Sequence, residues 1–250
     1  MDSTMPQHVI SGLPPPSRRF GSLPRLAAGE RPHGLAAGER PHGLATGELV
    51  KLHHALAEAL PAAAGIVAQF VAPERDETIT HVAYDLAYIS ASWLDKRVLY
   101  VNGTGIRADP ADTLPPARRE PHLSAAFDPA DLEASISRVV GLELYQMTFP
   151  TLRGALDLAP MLRRIPEFMD RLRQTFDLVV IASPSAAEAP MGVLLSRYVD
   201  GNVLVLEAGR TRAPVAARLR DALRDSGGSV VGVVLTRCRS HAPRWLQRWL

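Results

Sequence analysis

Lysine and cysteine are scarce in this 250-residue chain. Only Lys51 and Lys96 are lysines, so nearly all of the 28 basic residues are arginines. Chemistry that needs a lysine therefore has two candidates. The single cysteine, Cys238, excludes an intramolecular disulfide and a cysteine-rich metal site. We expect a reducing compartment and a structural role for this thiol.

Long apolar runs and a strong net charge are also missing. No stretch of about 18 uncharged apolar residues is present, which excludes a membrane-spanning helix, and the first residues do not form the apolar core of a signal peptide. A net charge of +2 is too small to indicate nucleic-acid binding, so no nucleic-acid partner is expected. Apolar residues make up 46% of the chain, enough for a sizeable core.

The chain divides into a tail and one domain. Residues 1–46 are rich in Pro, Gly and Arg and have little amphipathic period, which predicts disorder. The nine residues LAAGERPHG occur at 26–34 and again at 35–43, a repeat too short to stack into a solenoid. Residues 47–250 are predicted to form the folded domain.

Short apolar segments alternate with amphipathic ones along this domain. The predicted strands are 66–71, 97–101, 142–147, 176–182, 202–206 and 230–235. The predicted helices are 48–60, 78–94, 131–139, 158–174 with a kink or break at Pro166, 187–198 and 212–225. The strands are apolar throughout, which is typical of a parallel sheet buried on both faces. The expected fold is a three-layer, doubly wound, mostly parallel α/β sandwich with right-handed crossovers.

The order of these segments resembles a known family. GIVAQFVA, THVAYDLAYIS and KRVLYVN in the first half, and FDLVVIASPS through DGNVLVLEAGRTR in the second, are similar to the P-loop tyrosine autokinases of bacterial capsule and exopolysaccharide assembly. The resemblance covers about residues 47–250 and is weakest over 103–160. It implies a P-loop NTPase-like domain with three short motifs that bind Mg²⁺ and nucleotide.

The first motif of that family is a Gly-rich loop ending in Lys-Ser/Thr, which holds phosphates and Mg²⁺. The corresponding residues here are Glu74, Arg75, Asp76, Glu77, Thr78, Ile79 and Thr80. Ile79 stands at the lysine position, Thr80 keeps the hydroxyl group, and no glycine is present. Such a loop does not easily turn its amides toward a ligand, and its three carboxylates would repel polyphosphate.

The other two motifs supply carboxylates in the family, and both are replaced here. The resemblance places an Asp-x-Asp pair after the second strand, where this chain has Asn102 and Thr104. It places a Mg²⁺-binding aspartate at the end of the predicted strand 176–182, where this chain has Ala182. Loss of all three motifs predicts a pseudoenzyme with no cofactor; if that prediction is wrong, ATP and Mg²⁺ are the cofactors.

The carboxyl-terminal segment differs from the family as well. Family members are commonly phosphorylated on a carboxyl-terminal tyrosine cluster, and the last residues here contain no tyrosine. At helical spacing, Trp245 and Trp249 share a face with two leucines, while Arg244 and Arg248 lie elsewhere. A basic segment with tryptophans suits a membrane interface or a partner groove, although the tryptophans could equally pack onto the domain.

These features predict a non-catalytic component of exopolysaccharide or capsule assembly and export, at the cytoplasmic face of the bacterial inner membrane. The resemblance implies a membrane copolymerase or a homologous kinase as partner; a homo-oligomer and peripheral membrane contact are further expectations. Two alternatives remain open. One is an active tyrosine kinase or ATPase, and the other is a membrane-associated spatial-organiser ATPase homologue.

Overall fold

The computed structural model of the chain describes residues 44, 46–60, 64–104, 136–139, 141–148 and 155–237, with backbone only for 155–161. The helices are α1 (Thr46–Ala59), α2 (Thr78–Ser92), α3 (Ala155–Thr175), α4 (Met191–Leu195) and α5 (Ala213–Asp225). The strands are β1 (Ile66–Val71), β2 (Val98–Asn102), β3 (Ser137–Arg138), β4 (Leu144–Thr148), β5 (Leu178–Ala182), β6 (Gly201–Glu207) and β7 (Val230–Thr236). The predicted tail at 1–46, the loop beyond 104 and the segment 244–250 lie mostly or wholly outside the described residues.

In this part of the chain the strands form one seven-stranded sheet in the order β3-β4-β2-β5-β1-β6-β7. Every neighbouring pair is parallel except β3 and β4. The central strands β1, β2 and β5 are almost entirely buried, which explains their apolar composition. The predicted mostly parallel α/β fold is therefore confirmed.

Helices cover both faces of the sheet. On one face, α1 and α2 pack over alternate residues of β1 such as Ala68 and Phe70. On the other, α3 and α4 pack with Val67, and α5 packs with Val71 through Leu219 and Leu223. Residues 67, 69 and 71 thus face one layer, and 68 and 70 face the other, as the period of two in a strand requires.

Two of the helix predictions need correction. Residues 137 and 138, predicted as helix, form the antiparallel strand β3 because Gly141, at φ 83°, turns the chain back so that the Val139 amide bonds to the Leu144 carbonyl. The helix predicted at 187–198 is only the five-residue α4. Pro190 precedes its first turn, and the Ser196 hydroxyl donates to the Val193 carbonyl, a side-chain bond that competes with helix continuation.

Helix α3 corrects a third expectation. It continues through Pro166, which was predicted to kink or break it, from residue 155 to 175. Pro166 is exposed, while Ile165, Phe168 and Met169 are buried against β1 and β5. Burial of these side chains outweighs the one backbone hydrogen bond that proline removes.

At the amino ends of the strands, polar contacts join α3 to β1 and β6. The Asp200 carboxylate accepts hydrogen bonds from the Val67 amide at 2.7 Å and from Arg173 Nε at 3.0 Å. Arg173 also donates to the Tyr198 carbonyl, and its own carbonyl accepts from the Gly65 amide. These bonds fix the end of α3 against the start of the central strand.

Candidate functional site

The three motif positions meet at the carboxyl edge of the sheet. Ala182 lies in register with Phe70 of β1 on one side and with Asn102 of β2 on the other. The loop after β1, the turn after β2 and the segment after β5 therefore leave the sheet side by side. Ligands of doubly wound folds bind at this edge, so the sequence alignment of the three motifs agrees with the geometry.

The loop after β1 is held down against the segment that follows β5. The Ala72 carbonyl accepts a hydrogen bond from the Ala186 amide at 3.0 Å. Arg75 forms an ion pair with Glu188 at 3.3 Å, and Glu188 also accepts from the Ser185 hydroxyl at 2.9 Å. The loop is therefore attached to its neighbour where a phosphate loop would have to stay open around a ligand.

The amino terminus of α2 binds a carboxylate from its own chain. Asp76 Oδ1 accepts a hydrogen bond from the Thr78 amide at 2.9 Å. Amides at a helix amino terminus, with the helix dipole, form the usual site for a phosphate group. Here Asp76 supplies the negative charge at that position.

Ile79 does not face this edge as a phosphate-binding lysine would. Its side chain is 2% exposed and belongs to the apolar core between α2 and the sheet. Lys96 lines a cavity of about 880 Å³ at the opposite edge of the sheet, and Lys51 is exposed on α1. Neither lysine lies at the motif edge.

Neutral side chains occupy the positions of the family's carboxylates after β2. Asn102 Oδ1 accepts hydrogen bonds from the Thr104 amide at 3.1 Å and from the Thr104 hydroxyl at 2.9 Å. Thr104 Oγ1 also lies 3.0 Å from Thr80 Oγ1, the hydroxyl retained from the first motif. The Thr80 hydroxyl that would bind Mg²⁺ in a P-loop is thus bonded within the protein.

The turn after β5 completes the site and is packed closely. The Ala182 carbonyl accepts from the Gly103 amide at 2.8 Å, and a Cβ atom on Gly103 would lie 2.8 Å from the same oxygen. The Ser183 hydroxyl is buried without a hydrogen-bond partner among the described residues. Ala182 brings no charge to this strand end.

These residues do not fit a nucleotide with Mg²⁺. The three motif positions offer an apolar side chain, an amide and a methyl group instead of a cation and metal-binding carboxylates, and the helix terminus is taken by Asp76. Within the described residues, no three His, Cys, Asp or Glu side chains are grouped to hold a metal ion. No described helix is long and apolar enough to cross a membrane.

The structure places Thr80, Asn102, Thr104 and Ala182 together at the carboxyl edge of the sheet, and sequence reasoning did not predict two contacts beside them. The Ser185–Glu188 pair matches the S-x-x-E pattern of a capping box and could have been found from that spacing. The Arg75–Glu188 ion pair carries no local signal, because its partners come from different loops. Arg244, Trp245, Arg248 and Trp249 lie outside the described residues.

His53 and the tyrosines were not assigned to the site. The Ser90 hydroxyl donates to the Leu86 carbonyl, so it accepts from His53 Nδ1, 2.9 Å away. Burial, followed by the charges of His54 and Lys96, lowers the pKa of His53. Tyr84, Tyr100 and Tyr145 are buried, and burial raises the pKa of Tyr100, so these side chains are not accessible phosphoryl acceptors.

No protein-family model and no curated protein sequence matches the chain. Solved structures do. The BceF tyrosine kinase domain is 23% identical with a TM-score of 0.58, and each chain is covered over 76% of its length. The kinase domain of the Escherichia coli tyrosine kinase Etk is 18% identical with a TM-score of 0.64, covering 80% of this chain and 78% of that one.

The fold is that of bacterial tyrosine kinase domains. The VpsO kinase domain shares it, at 18% identity and a TM-score of 0.59, over 78% of this chain and 95% of that one. The fold expected from the resemblance is thereby confirmed. Identities this low show a shared fold and say nothing about activity. Activity depends on the residues of the site.

Proposed function

We propose that this chain is a non-catalytic member of a polysaccharide assembly and export system, built on a tyrosine kinase fold. The observation that carries the proposal is Asp76 bonded to the first turn of α2, at the position of a phosphate group. Phosphoryl transfer relies on cations and Mg²⁺ to stabilise charge on the transferred group. A carboxylate at that position has the opposite effect.

The other substitutions support the same proposal. Ile79 takes part in the core instead of offering a cation, and Asn102 and Ala182 replace two groups that would hold Mg²⁺. The ion pair of Arg75 with Glu188 keeps the nearest arginine of the loop engaged. The chain is therefore expected to function without a nucleotide cofactor.

Calorimetric titration of the full chain with ATP and ADP, with and without Mg²⁺, tests this. We expect no binding up to millimolar nucleotide, with the Etk kinase domain titrated in parallel as a positive control. Mg²⁺-dependent binding at micromolar concentration would overturn the proposal. It would favour the alternative of an active kinase or ATPase that draws its cation from a displaced or partner residue.

The partner would be the cytoplasmic part of a membrane copolymerase or a homologous kinase, contacted through Arg244, Trp245, Arg248 and Trp249. The chain would then collect at the inner face of the bacterial membrane only when its partner is present. The expected result in the source bacterium is membrane-fraction protein that disappears when the polysaccharide genes are deleted. Persistence in the deletion strain would favour the spatial-organiser alternative.

Charge reversal checks the contact itself. Arg244→Glu/Arg248→Glu should reduce the membrane fraction, because both arginines are proposed to meet the partner. The matched control Arg220→Glu/Arg224→Glu reverses the same number of charges on the exposed face of α5. Equal loss in both variants would indicate a general effect of net charge and contradict the assignment.

A further inference from the structure

A cavity of about 880 Å³ lies at the amino ends of the strands, on the opposite edge of the sheet from the motif positions. Residues of α1, of the end of α3 and of the starts of β1 and β5 line it. Ile66 and Leu178, which are in register, form an apolar wall together with Leu56 and Phe176. The volume lies within the range of about 300–1,000 Å³ that is usual for small-molecule sites. We call this the amino-edge cavity.

One residue of α2, Ser90, holds two polar groups of this cavity in place. Its carbonyl accepts a hydrogen bond from the Lys96 amide at 3.1 Å, after a turn in which Asp95 has φ 50°. Its hydroxyl lies 2.9 Å from Nδ1 of His53. Lys96 and His53 both line the amino-edge cavity. The backbone of the first and the ring of the second are therefore positioned without a ligand, which lowers the cost of binding one.

His53 offers a hydrogen-bond acceptor at this cavity. The Ser90 hydroxyl donates its single proton to the Leu86 carbonyl at 2.7 Å, so it accepts from His53 Nδ1–H. In the neutral ring, Nε2 then carries a lone pair that no described residue uses. Burial, followed by the charges of His54 and Lys96, lowers the pKa of His53 and keeps the ring neutral at neutral pH. A ligand hydroxyl can donate to this nitrogen.

Lys96 and Asp177 determine which ligand charge the cavity accepts. Lys96 forms no ion pair with a described residue, so its ammonium group is available to a carboxylate. Arg173, which also lines the cavity, is already paired with Asp200. Asp177 accepts from the Arg97 amide through Oδ2 at 2.8 Å, which leaves Oδ1 for another donor. One available cation beside one carboxylate favours a monoanion and disfavours a doubly charged phosphate ester.

We propose that the amino-edge cavity binds a hydroxylated carboxylic acid with a compact ring, such as a hexuronic acid. The Lys96 ammonium donates to the ligand carboxylate, a charge-assisted hydrogen bond. Ligand hydroxyl groups donate to His53 Nε2 and to Asp177 Oδ1, and the C–H face of the ring packs on the apolar wall. The site lies away from the motif edge, and the proposal does not rest on the proposed function, since it requires only this cavity and its side chains.

Isotope labelling of lysine tests the proposal in the full chain, because the chain has only two lysines. With ¹³Cε-labelled lysine, the NMR spectrum contains one signal from Lys96 and one from Lys51, assigned by Lys96→Gln and Lys51→Gln. We expect D-glucuronate to shift the Lys96 signal saturably and to leave the signal of Lys51, which is exposed on α1, unchanged. Absence of a saturable shift at Lys96 would overturn the proposal.

Two analogues separate the parts of the ligand. D-Glucose has the hydroxyl groups without the carboxylate, and hexanoate has the carboxylate without the hydroxyl groups. Each should bind at least about tenfold more weakly than D-glucuronate, since each loses hydrogen bonds to a charged group of the cavity. Equal affinity for hexanoate would indicate a general anion site, and equal affinity for glucose would show that Lys96 takes no part. Either result would contradict the proposal.

Substitutions in the wall test whether the ligand lies in the cavity. Ala57 is an exposed residue of α1 that lines it, so Ala57→Glu adds a carboxylate beside that of the ligand. Calorimetric titration with D-glucuronate should show at least about a tenfold loss of affinity for Ala57→Glu and for Lys96→Gln. The matched controls are Ala59→Glu, exposed on the same helix but outside the lining, and Lys51→Gln. Both controls should bind as the unmodified chain does, and losses equal to those of the cavity variants would refute the assignment.

Discussion

Asp76 and Ile79 determine what the start of α2 can do. Asp76 places a carboxylate on the Thr78 amide, and Ile79 turns an apolar side chain into the core. Both are stable arrangements for a helix terminus that has no ligand, because one satisfies a backbone donor and the other buries apolar surface. With Asp76 and Ile79 at these positions, the start of α2 lacks the positive charge that binds the phosphates of a nucleotide.

Replacement of Asp76 should destabilise the protein. Asp76→Ala leaves the Thr78 amide without its carboxylate, and we expect a loss of about 1 kcal/mol in the free energy of unfolding. Urea denaturation monitored by circular dichroism measures it. Glu74→Ala, at an exposed position in the same loop, should change stability by less than about 0.5 kcal/mol; equal effects would show that Asp76 has no special contact.

His53 should make stability depend on pH. Its folded pKa lies below the ordinary value of about 6.5, so the unfolded chain binds the proton more readily. The free energy of unfolding should therefore fall as pH drops below about 6.5, until His53 is protonated in both states. Urea titrations between pH 7.5 and 5 should show a shallower decline for His53→Gln than for the control His81→Gln.

Among single residues, the sequence predicted which groups are missing from the site, but not what takes their place. The substitutions at Ile79, Asn102 and Ala182 follow from alignment with the three motifs. The ion pair of Arg75 depends on how the loop lies against the segment after β5, which is a tertiary property. A carboxylate two residues before a helix amide is a common local partner, so the Asp76 contact, like the Ser185–Glu188 contact, was accessible to sequence reasoning.

Helix α3 and strand β1 approach each other closely where they meet. A Cβ atom at Gly65 would lie 1.7 Å from the Phe176 carbonyl oxygen and 2.9 Å from that of Arg173. No side chain fits there without movement of backbone on one side. The spacing between the α3 layer and the sheet at this end is thus set by a glycine.

Gly65→Ala should therefore be strongly destabilising. We expect a loss of about 3 kcal/mol, the upper end of the usual cost of overpacking, since the obstacle is backbone oxygen and not a flexible side chain. Gly47→Ala is the matched control, because no atom lies within 4 Å of its added Cβ, and it should stabilise α1 by about 0.5 kcal/mol. Thermal denaturation of both variants would show opposite shifts; a small effect at Gly65 would contradict the close approach.

The buried strands were the most predictable elements. β1 has the predicted bounds, and β5 to β7 differ from prediction by one or two residues, because continuous apolar runs between turns leave few alternatives. The errors fell where tertiary contacts determine whether an element forms and how long it is. β3 forms only because β4 pairs with it, and α4 is short because Pro190 and Ser196 end its helical pattern on either side.

The domain as a unit is braced by Asp200 and Arg173, which join β6, α3 and β1. Asp200→Ala removes the acceptor for the Val67 amide and for the Arg173 guanidinium together. We expect a loss of about 2–3 kcal/mol in the free energy of unfolding, the range for hydrogen bonds to a charged group. Equilibrium denaturation with one cooperative transition would measure it.

The same arginine provides the control. Asp170 also pairs with Arg173, at 2.9 Å, but its side chain is 68% exposed. Asp170→Ala should therefore cost less than about 1 kcal/mol, as exposed ion pairs do. Similar losses for the two aspartates would show that the Val67 amide contributes little to the bracing.

Asp76 is covalently attached close to the amide it binds, so it acts as an intramolecular ligand whose local concentration does not depend on protein concentration. Its effective concentration at the start of α2 is on the order of millimolar or higher. A phosphate group would have to displace the Asp76 carboxylate from the Thr78 amide. After displacement, the nearby negative charge of Asp76 would still repel the phosphate. Any anion reaching the start of α2 would therefore have to wait for the loop to open, and the opening rate would limit how fast it binds at high ligand concentration.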